Sequence, residues 1–222
     1  MILIGISGKK GVGKNYISEK YIVPYFIKKY NELFPSKIIS PYFISFGTCV
    51  KAELYGRKTE LDFEKLMINE KTELLRKQLQ EYGTDIGRGG YGKDIWIRQV
   101  DFWMKNHIYS LECSGMTDLY VPLFVIQDIR FENELEFIQN FPNALIIRVI
   151  SEKRNSKRCL RESNKIKDEH ISETSLLNVS FPYYIYNEDQ DDEDVFVQSK
   201  TIVDDFINQS ICSVSSPTTT DS

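Results

Sequence analysis

The stretch GISGKKGVGKN, residues 5–15, contains the pattern GxxxxGK from Gly8 to Lys14. A glycine-rich loop leading into a helix presents backbone N–H groups and the positive end of the helix dipole, so it binds phosphate oxygens. Gly8, Gly11 and Gly13 allow positive φ and close approach, Lys10 and Val12 complete the loop, and Lys14 adds a charge between the β- and γ-phosphates. This loop motif normally continues with a hydroxyl that ligates magnesium; here the next residues are Asn15 and Tyr16. The amide oxygen of Asn15 can face magnesium or a bridging water, but it is uncharged and bulkier than a serine hydroxyl.

Three further clusters bring charge to defined places. In RKQLQEYGTD, Arg76 and Gln80 are four apart and share a helical face, with Lys77 beside them and Gly83 and Thr84 following. A cation and an amide on one face can hold a phosphate and a base edge; the same spacing also makes an ordinary solvated face. Trp96 is open in the same way, between stacking on a base and packing in a core. In VIQDIRFENE, Asp128 ends an apolar run and Arg130 lies two residues on, on the same side of a strand. The carboxylate can hold magnesium or its waters and the arginine can grip a phosphate as a planar fork, or the two can form a strand-end salt bridge. In EKRNSKRCLRES, Arg154, Lys157, Arg158 and Arg161 share one helical face, suited either to an anion or to solvent. His170 and Glu173 follow, at a hinge or at the ligand.

These residues need elements to carry them. ILIGIS (2–7), YFISFG (42–47), PLFVIQD (122–128), ALIIRVI (144–150) and YYIYN (183–187) read as strands. The residues from Lys14 onward read as a helix that Pro24 should kink or end. Residues 48–82 are mostly helical and close on Gly83 as a C-cap. GTDIGRGGYGKD reads as a loop, and helices follow at IWIRQVDFWMKNHI and ENELEFIQN. Alternating strands and helices imply β-α-β units and an open α/β sheet. Residues 212–222, CSVSSPTTTDS, are too polar to bury the surface that order requires.

The 222 residues suit one domain with insertions, and 41% hydrophobic with 27% charged residues is the balance of a soluble globular chain. A net charge of −4 and a pI near 5.4 argue against nucleic acid as the main partner. Four cysteines without CxxC spacing and only two histidines argue against a zinc site or disulfide framework. No run of 18 apolar residues offers a membrane span, and an intracellular, cytoplasmic location is expected.

In order along the chain, these clusters resemble the deoxynucleoside monophosphate kinases of phages and large DNA viruses, within the P-loop nucleoside monophosphate kinase superfamily. The matching segments are GKKGVGKN, FISFG followed by Lys51, LLRKQLQEYGTDIGR with Trp96 downstream, DIRFENE, and HISE, within about residues 1–187. Tyr16 stands where the family usually has a small hydroxyl residue, and Gly47 where it has alanine. The resemblance implies a P-loop NTPase fold: a three-layer α/β/α domain over 1–209 with a five-stranded, mostly parallel sheet. It also implies a nucleotide-binding helical insertion at about 48–110, an Arg-rich lid at about 151–172 and a polar tail over 210–222. It implies ATP and Mg2+ as cofactors, a deoxynucleoside monophosphate as acceptor, and often a homodimer. Gly11, Val12, Gly13, Lys14, Asn15, Tyr16 and Arg154 would serve ATP. Lys10, Arg76, Lys77, Gln80, Gly83, Thr84, Trp96, Arg130 and Glu134 would serve the acceptor. Lys14, Asp128, Arg130 and Arg158 would act at the reacting centre, with Asn15 and Asp128 at the metal. Phosphomevalonate or dephospho-coenzyme A kinases of the same superfamily, and a non-catalytic nucleotide-binding regulator, are the alternatives.

Overall fold

The structure, a computed structural model, describes residues 1–57, 73–153, 156, 171–188 and 192–212. The strands are β1 (Ile2–Ser7), β2 (Ile38–Ile44), β3 (Tyr120–Ile129), β4 (Ala144–Ile150) and β5 (Tyr183–Tyr186). They form one sheet in the order β2-β3-β1-β4-β5, and every neighbouring pair is parallel. All five strands therefore end on the same edge, where open α/β sheets bind ligands.

Among the described residues the helices are α1 (Lys14–Ile17), α2 (Val23–Leu33), α3 (Phe46–Arg57), α4 (Glu73–Glu81), α5 (Gly89–Tyr91), α6 (Ile95–Cys113), α7 (Glu132–Gln139), α8 (Ile171–Thr174) and α9 (Asp192–Phe206). On one face of the sheet, Ile4 and Ile6 of β1 and Val125 of β3 pack with Phe26 of α2 and Val203 and Phe206 of α9. On the other, Leu3 and Phe124 pack with Leu54 of α3, Val100 and Met104 of α6 and Ile138 of α7. Covering both faces makes the strands apolar at nearly every position, which is why β1 reads as a continuous run and not an alternation. Fully buried side chains such as Phe26 and Phe124 each contribute about 1.5–3 kcal/mol.

Several elements depart from the expected pattern. Pro24 does not break the first helix. A π turn over Ser18–Ile22 precedes it, with the Val23 N–H reaching back to Ser18 O, and Pro24 falls in the first positions of α2, where a missing donor is tolerated. The second strand runs over 38–44, not 42–47; Pro41 is accommodated because β2 is an edge strand. Ser45 caps α3 instead, its Oγ accepting the Thr48 N–H at 3.0 Å. Gly83 is not a C-cap. Residues 82–88 continue α4 as a π-helical stretch, and α5 follows before Gly92 turns the chain with φ +99°. Residues 210–212, assigned above to the polar tail, remain helical within the Ile207–Cys212 turn.

Helical structure persists through this glycine-rich stretch because Gly87 packs against the indole of Trp96. A Cβ at Gly87 would lie 2.2 Å from Trp96 Cζ2 and 3.0 Å from Tyr82 O. Trp96 itself is 3% exposed, and its indole N–H donates to Gly83 O at 2.7 Å. Gly87→Ala is expected to lower unfolding free energy by about 1–3 kcal/mol, read as a drop in the urea midpoint. An unchanged midpoint would show that this contact can move aside freely.

Candidate functional site

The glycine-rich loop leaves β1 at Ser7 and enters α1 at Lys14. Gly8, Gly11 and Gly13 have φ of +144°, +83° and +95°. Gly8 is needed twice over, since a Cβ there would also sit 2.4 Å from Val149 O on β4. Lys14 is 8% exposed, and its ammonium donates to Gly8 O at 2.5 Å and Lys9 O at 3.0 Å, so the charge lies within the curve of the loop. Two contacts from neighbouring strands fix the loop. Asn187, just after β5, donates to Val12 O at 2.8 Å, and Gln127 on β3 donates to Ser18 Oγ at 2.6 Å beneath α1.

Lys10 is half-buried in the loop, and Gly11 and Asn15 are exposed. Tyr16 is 48% exposed, and its hydroxyl donates to Asp192 Oδ2 at 3.0 Å, where Lys20 also donates at 2.7 Å. Its side chain is thus committed to the N-terminus of α9, leaving the phosphate side of the loop to glycine backbone.

Asp128 and Arg130 end β3 beside this loop. The β1–β3 register slips by one residue between Gly5 and Ser7, and β3 spends the extra residue on Gln127–Asp128. Such a slip re-aims side chains. The Arg130 Nε donates to Asp128 Oδ1 at 2.6 Å, with both side chains about one quarter exposed. Asp128 Oδ2 faces Gly47, where a Cβ would come within 3.3 Å. Lys51 of α3 is held below its ordinary pKa by burial, partly offset by the Asp128 charge. A cleft joins Lys9 of the loop to Arg130, Arg148 of β4 and Ser172 of α8.

Glu134, expected at the substrate, is 2% exposed. Its Oε2 accepts the backbone N–H groups of Arg130 and Phe131 at 2.8 and 3.1 Å, and its Oε1 pairs with Arg88 at 3.4 Å. It caps α7 and fixes the backbone that carries Arg130.

Arg88 was not singled out in the sequence. Nothing in its spacing separates it from a surface cation, although it closes the YGTDIGR segment. Its guanidinium also donates to Asn133 Oδ1 at 2.8 Å and lies 3.8 Å above the Phe131 ring.

Trp96 was expected in the acceptor site. As placed, its ring and its N–H are both used to hold residues 83–87 in shape. Gly83 and Thr84 are half-buried, while Lys77 and Gln80 are exposed on α4. The side chains of Arg76 and Glu173, together with Arg154, Lys157, Arg158, Arg161 and His170, lie outside the described residues.

Burial raises the Glu134 carboxyl from 4.5 to about 7, with the Asp128 charge adding to the rise and the Arg130 and Phe131 N–H groups and Arg88 opposing it. A raised folded pKa contributes stability that is full below the unfolded carboxyl's value and is lost as pH rises through about 7. The contribution lost is up to about 3 kcal/mol. The stability of wild type relative to Glu134→Gln, measured by urea unfolding, is expected to fall between pH 4.5 and pH 8. A difference that stays flat with pH would rule out the buried carboxyl as its source.

The family described as deoxynucleotide monophosphate kinase matches residues 46–195, more than half of the chain. No curated protein matches. Among solved structures, a shikimate kinase from Bacteroides thetaiotaomicron is similar at 13% identity, with 93% of this chain and 96% of that chain covered and a TM-score of 0.34. The family match begins after the phosphate loop, which therefore stands on its own geometry, and it takes in Gly47, Lys51, Gly83, Thr84, Asp128, Arg130 and Glu134. With a lysine-bearing glycine loop and an Asp–Arg pair ending adjacent parallel strands, the chain has the parts of a phosphotransferase, and it belongs to the deoxynucleotide monophosphate kinase family.

Proposed function

We propose that this protein transfers the γ-phosphoryl group of ATP to a deoxynucleoside monophosphate, giving ADP and the diphosphate. The observation that carries the reading is the meeting of two half-sites on one sheet edge. Lys14 and the glycine loop form the donor half, and the Asp128–Arg130 pair lies beside them, within the span of the family match.

Phosphoryl transfer depends on alignment and on neutralising charge more than on a protein nucleophile. The loop N–H groups and Lys14 bind and orient the β- and γ-phosphates. Arg130 holds the acceptor phosphate in line, and residues 77–84 of the insertion, between about 48 and 110, receive the nucleoside. By the resemblance, Arg154, Arg158 and Arg161, which lie outside the described residues, would meet the phosphates and help to exclude water, the competing acceptor.

The donor set suits magnesium, which needs only one or two carboxylates alongside substrate phosphates and waters. Asp128 would supply the carboxylate, its Oδ2 facing Gly47, where a Cβ would come within 3.3 Å, and Asn15 would supply an amide oxygen at the start of α1. Among the described residues no group of three or more His, Cys, Asp and Glu forms a protein cage for a metal. When bound, the ion neutralises phosphate charge.

ADP release with a panel of deoxynucleoside monophosphates, phosphomevalonate and dephospho-coenzyme A tests the reading. Release with the deoxynucleotides alone is expected. Release only with one of the others reassigns the acceptor, and ATP binding without release from any points to a regulator. Lys14→Ala is expected to reduce kcat by at least about 10²–10³-fold with the fold retained, and turnover at the wild-type rate would exclude the phosphate-loop assignment. Asn15→Ser is expected to keep or raise activity.

A further inference from the structure

The contacts of Arg88 run in an unbroken chain from the helical insertion to the reacting centre. Arg88 closes the 82–88 stretch, which also carries Gly83 and Thr84. Its Nη1 lies 3.4 Å from Glu134 Oε1 and its Nη2 donates to Asn133 Oδ1 at 2.8 Å. From Glu134, the second carboxylate oxygen holds the amides of Arg130 and Phe131, and Arg130 in turn holds Asp128. Asn133 adds a parallel tie, donating to Lys93 O at 3.1 Å and to Asp94 Oδ1 at 2.7 Å just before α6.

Arg88 is only 10% exposed and Glu134 only 3% by side chain, so this is a desolvated pair with little screening. The flat guanidinium is matched here to two acceptors and an aromatic face, which fixes its orientation.

We infer that Arg88 and Glu134 form a latch that sets the position of the acceptor-binding insertion relative to Arg130 and Asp128. Both are positioning residues: neither touches the transferred group, and they act through the Arg130 backbone on one side and through residues 83–84 on the other. The inference rests on the kinase reading above. Loosening the latch spoils acceptor placement before it touches the ATP loop, which is anchored separately by Asn187 and Gln127.

Three variants test it: Arg88→Ala, Arg88→Lys, and Asn133→Ala, which loosens the latch without stranding a buried carboxylate. With the deoxynucleoside monophosphate that wild type accepts, KM for that acceptor is expected to rise about tenfold in Arg88→Ala, KM for ATP to stay within about twofold, and Asn133→Ala to show the same split at smaller size. Arg88→Lys should recover part of the loss, since an ammonium cannot reach both acceptors as a fork. Amide hydrogen exchange at Arg130 and Phe131 should quicken in Arg88→Ala and Asn133→Ala while the urea midpoint of Asn133→Ala stays near wild type. Equal loss for both substrates, or acceptor KM unchanged with exchange at Arg130 and Phe131 as in wild type, would overturn the latch. If wild type turns over no acceptor, the kinase reading falls, and the exchange rates alone decide whether Arg88 fixes the Arg130 backbone.

Discussion

The buried Ser7 hydroxyl donates to Ile129 O at 3.0 Å and binds together the ends of the two strands from which the site grows. Two of the groups that handle phosphate in the proposed reaction leave the sheet within a few residues of this bond: the glycine loop after Ser7, and Arg130 after Ile129. The bond falls where the two strands slip by one residue. A hydroxyl there satisfies a carbonyl displaced from the regular ladder, where an unpaired buried acceptor would be costly. The slip thus becomes a fixed feature of the edge, where β3 sets Gln127 and Asp128 against the single Ile6 of β1.

Around that bond the protein keeps its working cations half-neutralised by its own groups. Lys14 is held by carbonyls of the loop it serves, and Arg130 by Asp128. These partners lie in the site itself, so the charges stay aimed at one region despite the overall negative charge of the chain. They also limit the self-repulsion of several cations close together.

What was legible in the sequence was whatever depends on local pattern. The apolar run of β1 followed by glycines marks a glycine-rich loop at the strand's end, because strand period and glycine content are both local. Asp128 and Arg130 are marked by their place at the end of an apolar strand. The all-parallel sheet follows from alternating elements, and β4 matches its expected span residue for residue. Other features were hidden because distant partners decide them. Nothing local says that Trp96 will fill the space left by Gly87, so the surrounding glycines read as a loop. Nothing local announces the two backbone donors that hold Glu134, and Arg88 looks like any surface cation until Asn133, Phe131 and Glu134 surround it. The tolerance of Pro24 likewise depends on a π turn that no residue count announces.

The chain carries two tryptophans, and the fold gives them different surroundings: Trp96 is 3% exposed against Gly87, while Trp103, seven residues on in α6, is 39% exposed. The buried indole is hydrogen-bonded to the backbone of Gly83, one residue from Thr84 in the proposed acceptor site. Its emission therefore originates in the part of the molecule that must rearrange if the insertion moves over a substrate, and the exposed indole supplies a solvent-facing reference in the same helix. The protein is in this sense already labelled: the side chain that holds the insertion in shape is also a native optical gauge of its packing.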